Sequence, residues 1–573
     1  GAFQAPKAIP RSVTEASSAA AEAVDLLAGA RGTLTREKSY PAEKSASSEA
    51  PKIGVFVCSC GINIAGVVDV AAVAEFAATL PNVVYVDNNL FTCSADTQDL
   101  ISKKIEEHGL NRIVVAACTP RTHEPLFQET LKEAGLNAYL VEMANIRNQN
   151  SWVHQKNPQR ATEKAKDQVR MAVAKASLVY PLERLRVPVT RKALVIGGGI
   201  AGMTAALTLA GQSIETVLME KSDRLGGNAW KLNQTGTGEA IRPMLESLIN
   251  RVERHKQIRV LKKAKLLTAV GSVGNFVSKI EVDGETRAVT YGAAVLATGA
   301  REAVPEEYGY GKSDRVMTHL EFDTFMRRRE TDVRQAGAAA FIQCVGSREP
   351  KRPYCSRICC THTMKSAIRL KTLNPEMDVF VLYRDIRTYG KREDLYKKAR
   401  ELGVIFIRYD VDRKPAVSLD EKPLSIRVLD PILQRNLDLS ADYLILASAV
   451  EPYENQGLVE LYKCGQNEDG FLNEAHPKLR PVDMSVDGLF LAGLCNYPKP
   501  IDESIAQAKA AASRAGVLLS QDEMQLDAIK SVVTDKCDGC ALCLDVCPYR
   551  AIKLEEWKDA DGLIHKRIKT DQA

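Results

Sequence analysis

Four cysteines near the carboxyl end, Cys537, Cys540, Cys543 and Cys547, stand in the spacing C-x2-C-x2-C-x3-C and are followed by Pro548. This is the run that carries cubane iron–sulfur clusters, so one-electron transfer is the first chemistry it implies. A zinc knot is the competing reading, but structural zinc takes separated ligand pairs, and these spacings leave no loop between two pairs. In two-cluster modules the fourth cysteine of such a run serves the other cluster. No second run precedes Ala573. Either the four local thiols close one cluster, or a partner or a longer natural chain completes the module; the longer chain is the expectation.

The chain has 14 cysteines against 8 histidines, so thiolate chemistry dominates. Cys58, Cys60, Cys93 and Cys118 follow three predicted strands. In an open parallel sheet the carboxyl ends of the strands share one edge, where sites form. Four thiols gathered there suit a cluster; a redox dithiol and ordinary buried thiols are the alternatives. Grouped thiols in a chain whose first residues lack a signal-peptide core point to a reducing compartment.

A nucleotide-binding pattern lies in KALVIGGGIAGMTAALTLAGQSIETVLME. Strand Ala193–Ile196 runs into Gly197, Gly199 and Gly202, then a helix, then strand Glu215–Met219 ending at Glu220. The first glycine permits the tight turn, the second lets the backbone approach a pyrophosphate, and the third lets the helix pack on the strand. The helix N-terminus stabilises phosphate, and Glu220 is placed to accept hydrogen bonds from the adenosine ribose. The pair Gly226–Gly227 separates FAD from NAD: it resembles the pair that follows the ribose acid in flavoproteins with two dinucleotide-binding domains. VLATGA (295–300), with Gly299, is similar to their strand behind the cofactor. DGLFLAGLC (487–495) and ESIAQAKAAASRA (503–515) are similar to their closing flavin segment, which places Gly493, Ile501 and Ser504 at the cofactor. The acid usual after the Ala–Gly step is missing, since Leu494, Cys495 and Asn496 follow Gly493. A helix beginning near Ile501 would aim its amides at the pyrimidine end of the isoalloxazine and stabilise the anionic reduced ring.

A reductase of this fold would carry a second glycine loop between the two FAD halves. Here strand 337–346 runs instead into Ser347–Arg348–Glu349–Pro350 and then Cys355, Cys359 and Cys360. With Cys344 these thiols suit a cubane better than the slot suits NAD(P)H; a redox dithiol is the alternative. Lys365 follows in the next helix, with Arg384, Asp385 and Arg387 at the end of the next strand. Either these groups form a solvated edge, or Lys365 points its ammonium at the flavin N5–C4 edge and tunes its electron affinity. Arg348, Lys351 and Arg357 either lend positive charge to a cluster or face water.

The elements that must position these groups alternate strand and helix. The expected class is α/β: a two-dinucleotide-binding-domain, thioredoxin-reductase-like flavoprotein core, an N-terminal Rossmann-like cluster domain and a C-terminal ferredoxin-like module. Residues 1–50 read as a short helix, Glu15 to Leu27, on a tether. Residues 51–150 read as the Rossmann-like domain, with strands at 53–57, 83–87, 112–116 and 138–143 and helices Val67 to Leu80, Asp96 to His108 and Glu124 to Ala134. Residues 151–190 carry a connecting helix, Pro158 to Leu178. The FAD-binding domain takes 191–330 and 441–525, around an inserted degenerate nucleotide domain at 331–440, and 526–573 is the ferredoxin-like module. The net charge of +5, from 77 basic and 72 acidic residues, is too balanced to argue for nucleic acid or a membrane surface. No apolar stretch approaches the roughly 18 residues of a spanning helix. A soluble, cytoplasmic protein is expected.

Together the pieces resemble the flavin-carrying subunits of heterodisulfide reductases and their bacterial relatives. The marks are FVCSCGINI with Cys93 and CTPRTHEP, the GGGIAG loop, QCVGSR through Cys355-Ser-Arg-Ile-Cys359-Cys360, NYPKPIDESIAQAKAAA and the terminal run. The resemblance implies FAD and two to three or more [4Fe–4S] clusters, in a flavin hub that in some complexes bifurcates electrons. It implies ligand sets Cys58/Cys60/Cys93/Cys118 and Cys344/Cys355/Cys359/Cys360, and Lys365 as the flavin-facing lysine. The implied partners are other heterodisulfide-reductase-like subunits, a hydrogenase, dehydrogenase or other electron-input subunit, ferredoxin, and further copies within a larger complex. A stand-alone NAD(P)H-dependent flavoprotein reductase and a non-catalytic scaffold are the rival readings.

Overall fold

A computed structural model describes residues 1–36, 38–44, 50–526, 528, 531–547 and 551–570; Pro548 and Ala573 lie outside them. The chain divides into two compact units, one of residues 34–185 and 525–573, the other of residues 1–33 and 186–524.

In the first unit, four parallel strands lie in the order Val83–Asn89, Ile53–Cys58, Arg112–Ala117, Val141–Asn145. The two central strands are buried along their whole length, as continuous apolar runs in a helix-covered parallel sheet must be. Helices Val70–Ala78, Ala95–His108, Pro120–Glu133 and Pro158–Ala176 contribute Val73, Ile101, Phe127 and Val169 to one core. The sequence predicts one helix over 67–80. The structure instead has a short turn at Ile62–Ala65 and a new start at Val70, because the Asp69 carboxylate caps the Ala72 N–H. The fourth strand begins later than expected, at Val141. The Asn137 side chain accepts from the Tyr139 N–H and its carbonyl from the Leu140 N–H, folding 137–140 into a turn. Further along, helix Leu542–Val546 precedes the antiparallel hairpin Ile552–Lys558/Ile564–Thr570.

The second unit holds two parallel five-stranded sheets. One has the order Leu489–Leu491, Ala293–Leu296, Lys192–Ile196, Glu215–Met219, Ile258–Leu261. Along its middle strand Ala193 and Val195 enter one core and Leu194 and Ile196 the other, the period-two alternation of a sheet covered on both faces. The other sheet has the order Val316–Thr318, Tyr443–Ser448, Ala338–Val345, Asp378–Tyr383, Ile405–Arg408. It draws strands from both sides of the 331–440 segment. The chain passes between the sheets at the antiparallel ribbon Ala300–Glu302/Val450–Pro452.

The amino-terminal helix spans Ile9–Leu27, longer than the predicted Glu15 to Leu27, because Pro10 suits its first turn. It is docked rather than tethered: it packs along helix Ile501–Leu519 and buries Ala21 completely. Arg11 pairs with Glu503 and Lys509 with Glu22. Among the described residues no helix is long and apolar enough to cross a membrane.

Candidate functional site

The glycine loop has the form a dinucleotide requires. Gly197 has φ +115°, which a side chain would not tolerate. A Cβ on Gly202 would lie 1.8 Å from the Gly197 carbonyl, whereas the space at Gly199 is open. Gly199 is the N-cap of helix Ile200–Gly211, so free amides face that opening. Glu220 is buried; its Oε2 accepts from the Gly198 N–H at 2.7 Å and its Oε1 from the Ser222 N–H and hydroxyl at 2.8 and 2.7 Å. Oε2, with a single donor, keeps a lone pair for a ribose hydroxyl. Gly226 (φ +116°) and Gly227 (φ +52°) bring that segment against Gly199. Gly299 (φ +80°) follows Thr298, whose hydroxyl donates to the Asn455 side chain at 2.9 Å. The other side-chain atom of Asn455, its buried Nδ2, has no partner among the described residues, a donor left for a ligand. These residues fit FAD.

The segment after Gly493, which lacks the usual acid, carries a lysine six residues on. Lys499 is buried, and its ammonium donates to the Gly493 carbonyl at 2.5 Å and sits 3.7 Å from the Tyr497 ring centre. Burial pulls its pKa down to about 7. Gly493 (φ +81°) gives its N–H to Gln507. Ile501 opens the closing helix as expected, and Ser504 bonds back to the Pro500 carbonyl. The first turn of that helix also carries Asp502 and Glu503. Glu503 is buried and takes Arg11, Arg357, Arg392 and the Tyr389 hydroxyl, so the positive helix end is partly satisfied by its own carboxylates.

In the second sheet, Cys344 lies at the carboxyl end of the central strand, beside the end of Tyr443–Ser448. The strands on its two sides are reached by connections running in opposite directions, which makes this edge the switch point where ligands bind. A bulge between Ile342 and Val345 and a left-handed Cys344 (φ +61°) re-aim the thiol. Cys359 and Cys360 open the helix Cys359–Leu373, and Cys355 lies in the loop before it. Burial, then the charges of neighbouring thiols, push Cys359 well above its ordinary pKa and Cys360 up to about 12; Cys344 and Cys355 act on both. Such thiols ionise only when a metal centre takes the proton's place. The Arg357 N–H donates to Cys355 Sγ at 3.3 Å, and Arg348 Nη1 lies 3.9 Å from Cys344 Sγ. Arg348 also pairs with Asp385, Arg384 donates to the Ser347 and Arg348 carbonyls, and Lys351 pairs with Glu306.

Lys365 is not on a solvated edge. It is buried, and its ammonium donates to Asp323 Oδ2 at 2.8 Å and the Gln234 carbonyl at 3.3 Å. Asp323 and His319 carry no sequence signal of a site, because they lie on the separate helix His319–Arg328 and only tertiary packing brings them to Lys365; His362 lies one turn before Lys365 in its own helix. Nearby, a cleft of about 830 Å³ is lined by Asn228, Lys231, Glu302, Phe325 and Tyr453. Burial pushes the Glu302 carboxyl up to about 7.

In the first unit Cys58 ends its strand, Cys60 follows in a left-handed turn (φ +46°), and Cys93 and Cys118 come after the neighbouring strands. The Cys93 thiol feels Cys58 and Cys60, and the Cys118 thiol feels Cys58 and Cys93, which puts these thiols at one edge of the sheet. The Thr92 N–H donates to Cys58 Sγ at 3.4 Å and Arg147 Nη1 to Cys60 Sγ at 3.2 Å. No sequence pattern marks Arg147. Cys537, Cys540, Cys543 and Cys547 flank and enter helix Leu542–Val546; Cys540 is exposed and the other three half-buried. Among the described residues no three Cys, His, Asp or Glu side chains are close enough to share a single ion. A cubane is larger than an ion and holds its thiolates further apart.

Residues 191–336 match the family model of pyridine nucleotide-disulphide oxidoreductases, and residues 530–553 that of 4Fe-4S binding domains. The chain therefore joins a flavin-type redox domain to an iron–sulfur module. Among solved structures, a thioredoxin reductase of T. acidophilum aligns with 58% of this chain and 98% of its own, at 14% identity and TM-score 0.41, a likeness too distant to argue from. One of the iron-sulfur A-type subunits of the CoB–CoM heterodisulfide reductase of Methanopyrus kandleri is 38% identical over 89% of this chain and 92% of its own. The A-type subunit of the H2:CoB-CoM heterodisulfide,ferredoxin reductase of Methanothermobacter marburgensis is 38% identical over 90% and 92%. Likeness of that extent makes this chain a member of the A-type subunit family of heterodisulfide reductases, a flavin and iron–sulfur electron-transfer oxidoreductase subunit.

Proposed function

We propose that the chain is the flavin hub of a heterodisulfide-reductase-like complex, relaying electrons between FAD and [4Fe–4S] clusters and splitting or merging electron pairs. Bound flavin supplies the exchange between two-electron and one-electron chemistry. The protein's part is binding, spacing and charge. The Gly197–Gly202 loop and its helix end bind the pyrophosphate, Glu220 orients the ribose, and Lys365 sets positive charge beside the ring. Cys344, Cys355, Cys359 and Cys360 hold one cluster, Cys58, Cys60, Cys93 and Cys118 a second, and the terminal run a third. The N–H groups of Thr92 and Arg357 and the Arg147 guanidinium raise cluster potentials by donating to sulfur.

The observation that carries the reading is the replacement of a second glycine loop by four neighbouring thiols at the switch point of the inserted sheet. It also argues against a pyridine-nucleotide reductase. The relatives' names speak of ferredoxin and H2, so the partners fitted to this hub are sister subunits, a hydrogenase or dehydrogenase that delivers electrons, and ferredoxin. The test is Cys360→Ser in anaerobically purified protein. FAD content is expected to hold, while one cluster's paramagnetic signal disappears and transfer from flavin to one-electron acceptors stops. Unchanged transfer, with rapid bleaching of the isolated protein's flavin by NAD(P)H, would establish the reductase reading instead.

A further inference from the structure

Asp323 has the lowest exposure of any charged residue among the described residues, 0%, and its carboxylate joins the segment around Asn233 to the helix that begins at Cys359. It belongs to helix His319–Arg328. One carboxylate oxygen, Oδ2, accepts from the Asn233 N–H at 3.0 Å and the Lys365 ammonium at 2.8 Å. The other, Oδ1, lies 3.1 Å from His362 Nε2, which is itself 3.2 Å from the ammonium. His362 stacks on His319 with ring centres 4.4 Å apart, and His319 Nε2 meets the Thr363 hydroxyl at 2.9 Å. That hydroxyl also accepts from Gln343, the residue before Cys344, at 2.6 Å.

Two independent links therefore end on one carboxylate. Asn233 and Gln234 belong to the segment that follows Gly226 and Gly227, on the flavin side. Lys365 and His362 belong to the helix that begins with Cys359 and Cys360. A four-carbon ammonium is flexible, and in a dry interior its position is set by its counter-ion.

We propose that Asp323 is a positioning residue that fixes the Lys365 ammonium, and with it the start of the Cys359–Leu373 helix, against the flavin-binding segment, thereby setting the flavin's redox equilibrium. The proposal rests on the reading that Lys365 faces the flavin. Asp323 touches no reacting atom and acts through Lys365, so its influence on the flavin must vanish when the ammonium is removed.

The experiment is an anaerobic spectroelectrochemical titration of the holoprotein's flavin in wild type, Lys365→Met, Asp323→Asn and the double variant. Lys365→Met is expected to lower the midpoint potential, since it removes a cation beside a ring that gains negative charge. Asp323→Asn is expected to change the oxidised-to-reduced ratio about tenfold, or about 30 mV for the two-electron couple. In the Lys365→Met background the same change is expected to do far less, the mark of residues acting as one unit. An Asp323→Asn shift that is absent, or equal in both backgrounds, overturns the proposal while the flavin-facing reading of Lys365 stands. An unmoved potential in Lys365→Met overturns that reading and the proposal with it. Should Asp323→Asn not fold, Asp323→Glu keeps the charge but displaces the ammonium, and the same dependence on Lys365 decides.

Discussion

Lys499 bonds the Gly493 carbonyl of the closing flavin segment, and its environment makes it a titration probe. Its ordinary pKa of 10.5 falls to about 7 in the folded chain because burial disfavours the ammonium. Between those values the unfolded chain holds a proton that the folded chain has released, so this residue's contribution to stability rises with pH. From pH 7 to 8.5 the gain is on the order of 1 kcal/mol. Denaturant unfolding of wild type and Lys499→Met at both pH values should show that gain in the wild type alone. The thiols were legible because cluster ligands obey fixed spacings and follow strand ends. Asp323 and Asn455 were not, because their partners Lys365 and Thr298 lie far away in sequence and only the tertiary fold brings them together; His362, one turn before Lys365, carries no motif of its own.

At the scale of elements, the glycine loop separates two roles that one motif conceals. In Gly202→Ala the new methyl would meet the Gly197 carbonyl at 1.8 Å, so helix Ile200–Gly211 cannot close on its strand, and both flavin and thermal stability should be lost. Gly199 has φ −72° and open space around it. Gly199→Ala should therefore unfold at the wild-type temperature yet bind FAD weakly, because the methyl occupies the approach of the pyrophosphate. Flavin absorbance beside a melting curve separates the two outcomes. The closing helix supplies a third prediction. Glu503 gathers three arginines and a tyrosine, among them Arg357 of the Cys355–Cys359 loop; Arg11 and Arg392 keep Asp502 in Glu503→Gln, so the loss falls on half-buried Arg357, at about 1 kcal/mol. Denaturant titration should show that loss together with an altered signal from the cluster proposed at Cys344, Cys355, Cys359 and Cys360. Strands and helices were readable from apolar periodicity, but the docking of Ile9–Leu27 was not, since its long-range pairs with Glu503 and Lys509 leave no local pattern.

At the scale of the whole molecule, the chain joins a flavoprotein core, in which four cysteines stand where a second nucleotide slot would carry its glycine loop, to a Rossmann-like thiol domain and a 4Fe-4S module. The order of these parts was visible in the sequence; the limits of the inserted sheet were not, because Val316–Thr318 and Tyr443–Ser448 flank the insertion and read equally well as parts of the FAD halves. The central claim is that Cys344, Cys355, Cys359 and Cys360 hold an iron–sulfur cluster where a reductase would hold a pyridine nucleotide. The most direct test is an anomalous difference map at the iron edge from crystals grown without oxygen. The account predicts iron density bonded to all four of those sulfurs, beside bound FAD. Iron-free sulfurs in protein whose other clusters are intact, with a pyridine nucleotide lying along the strand Ala338–Val345, would contradict it.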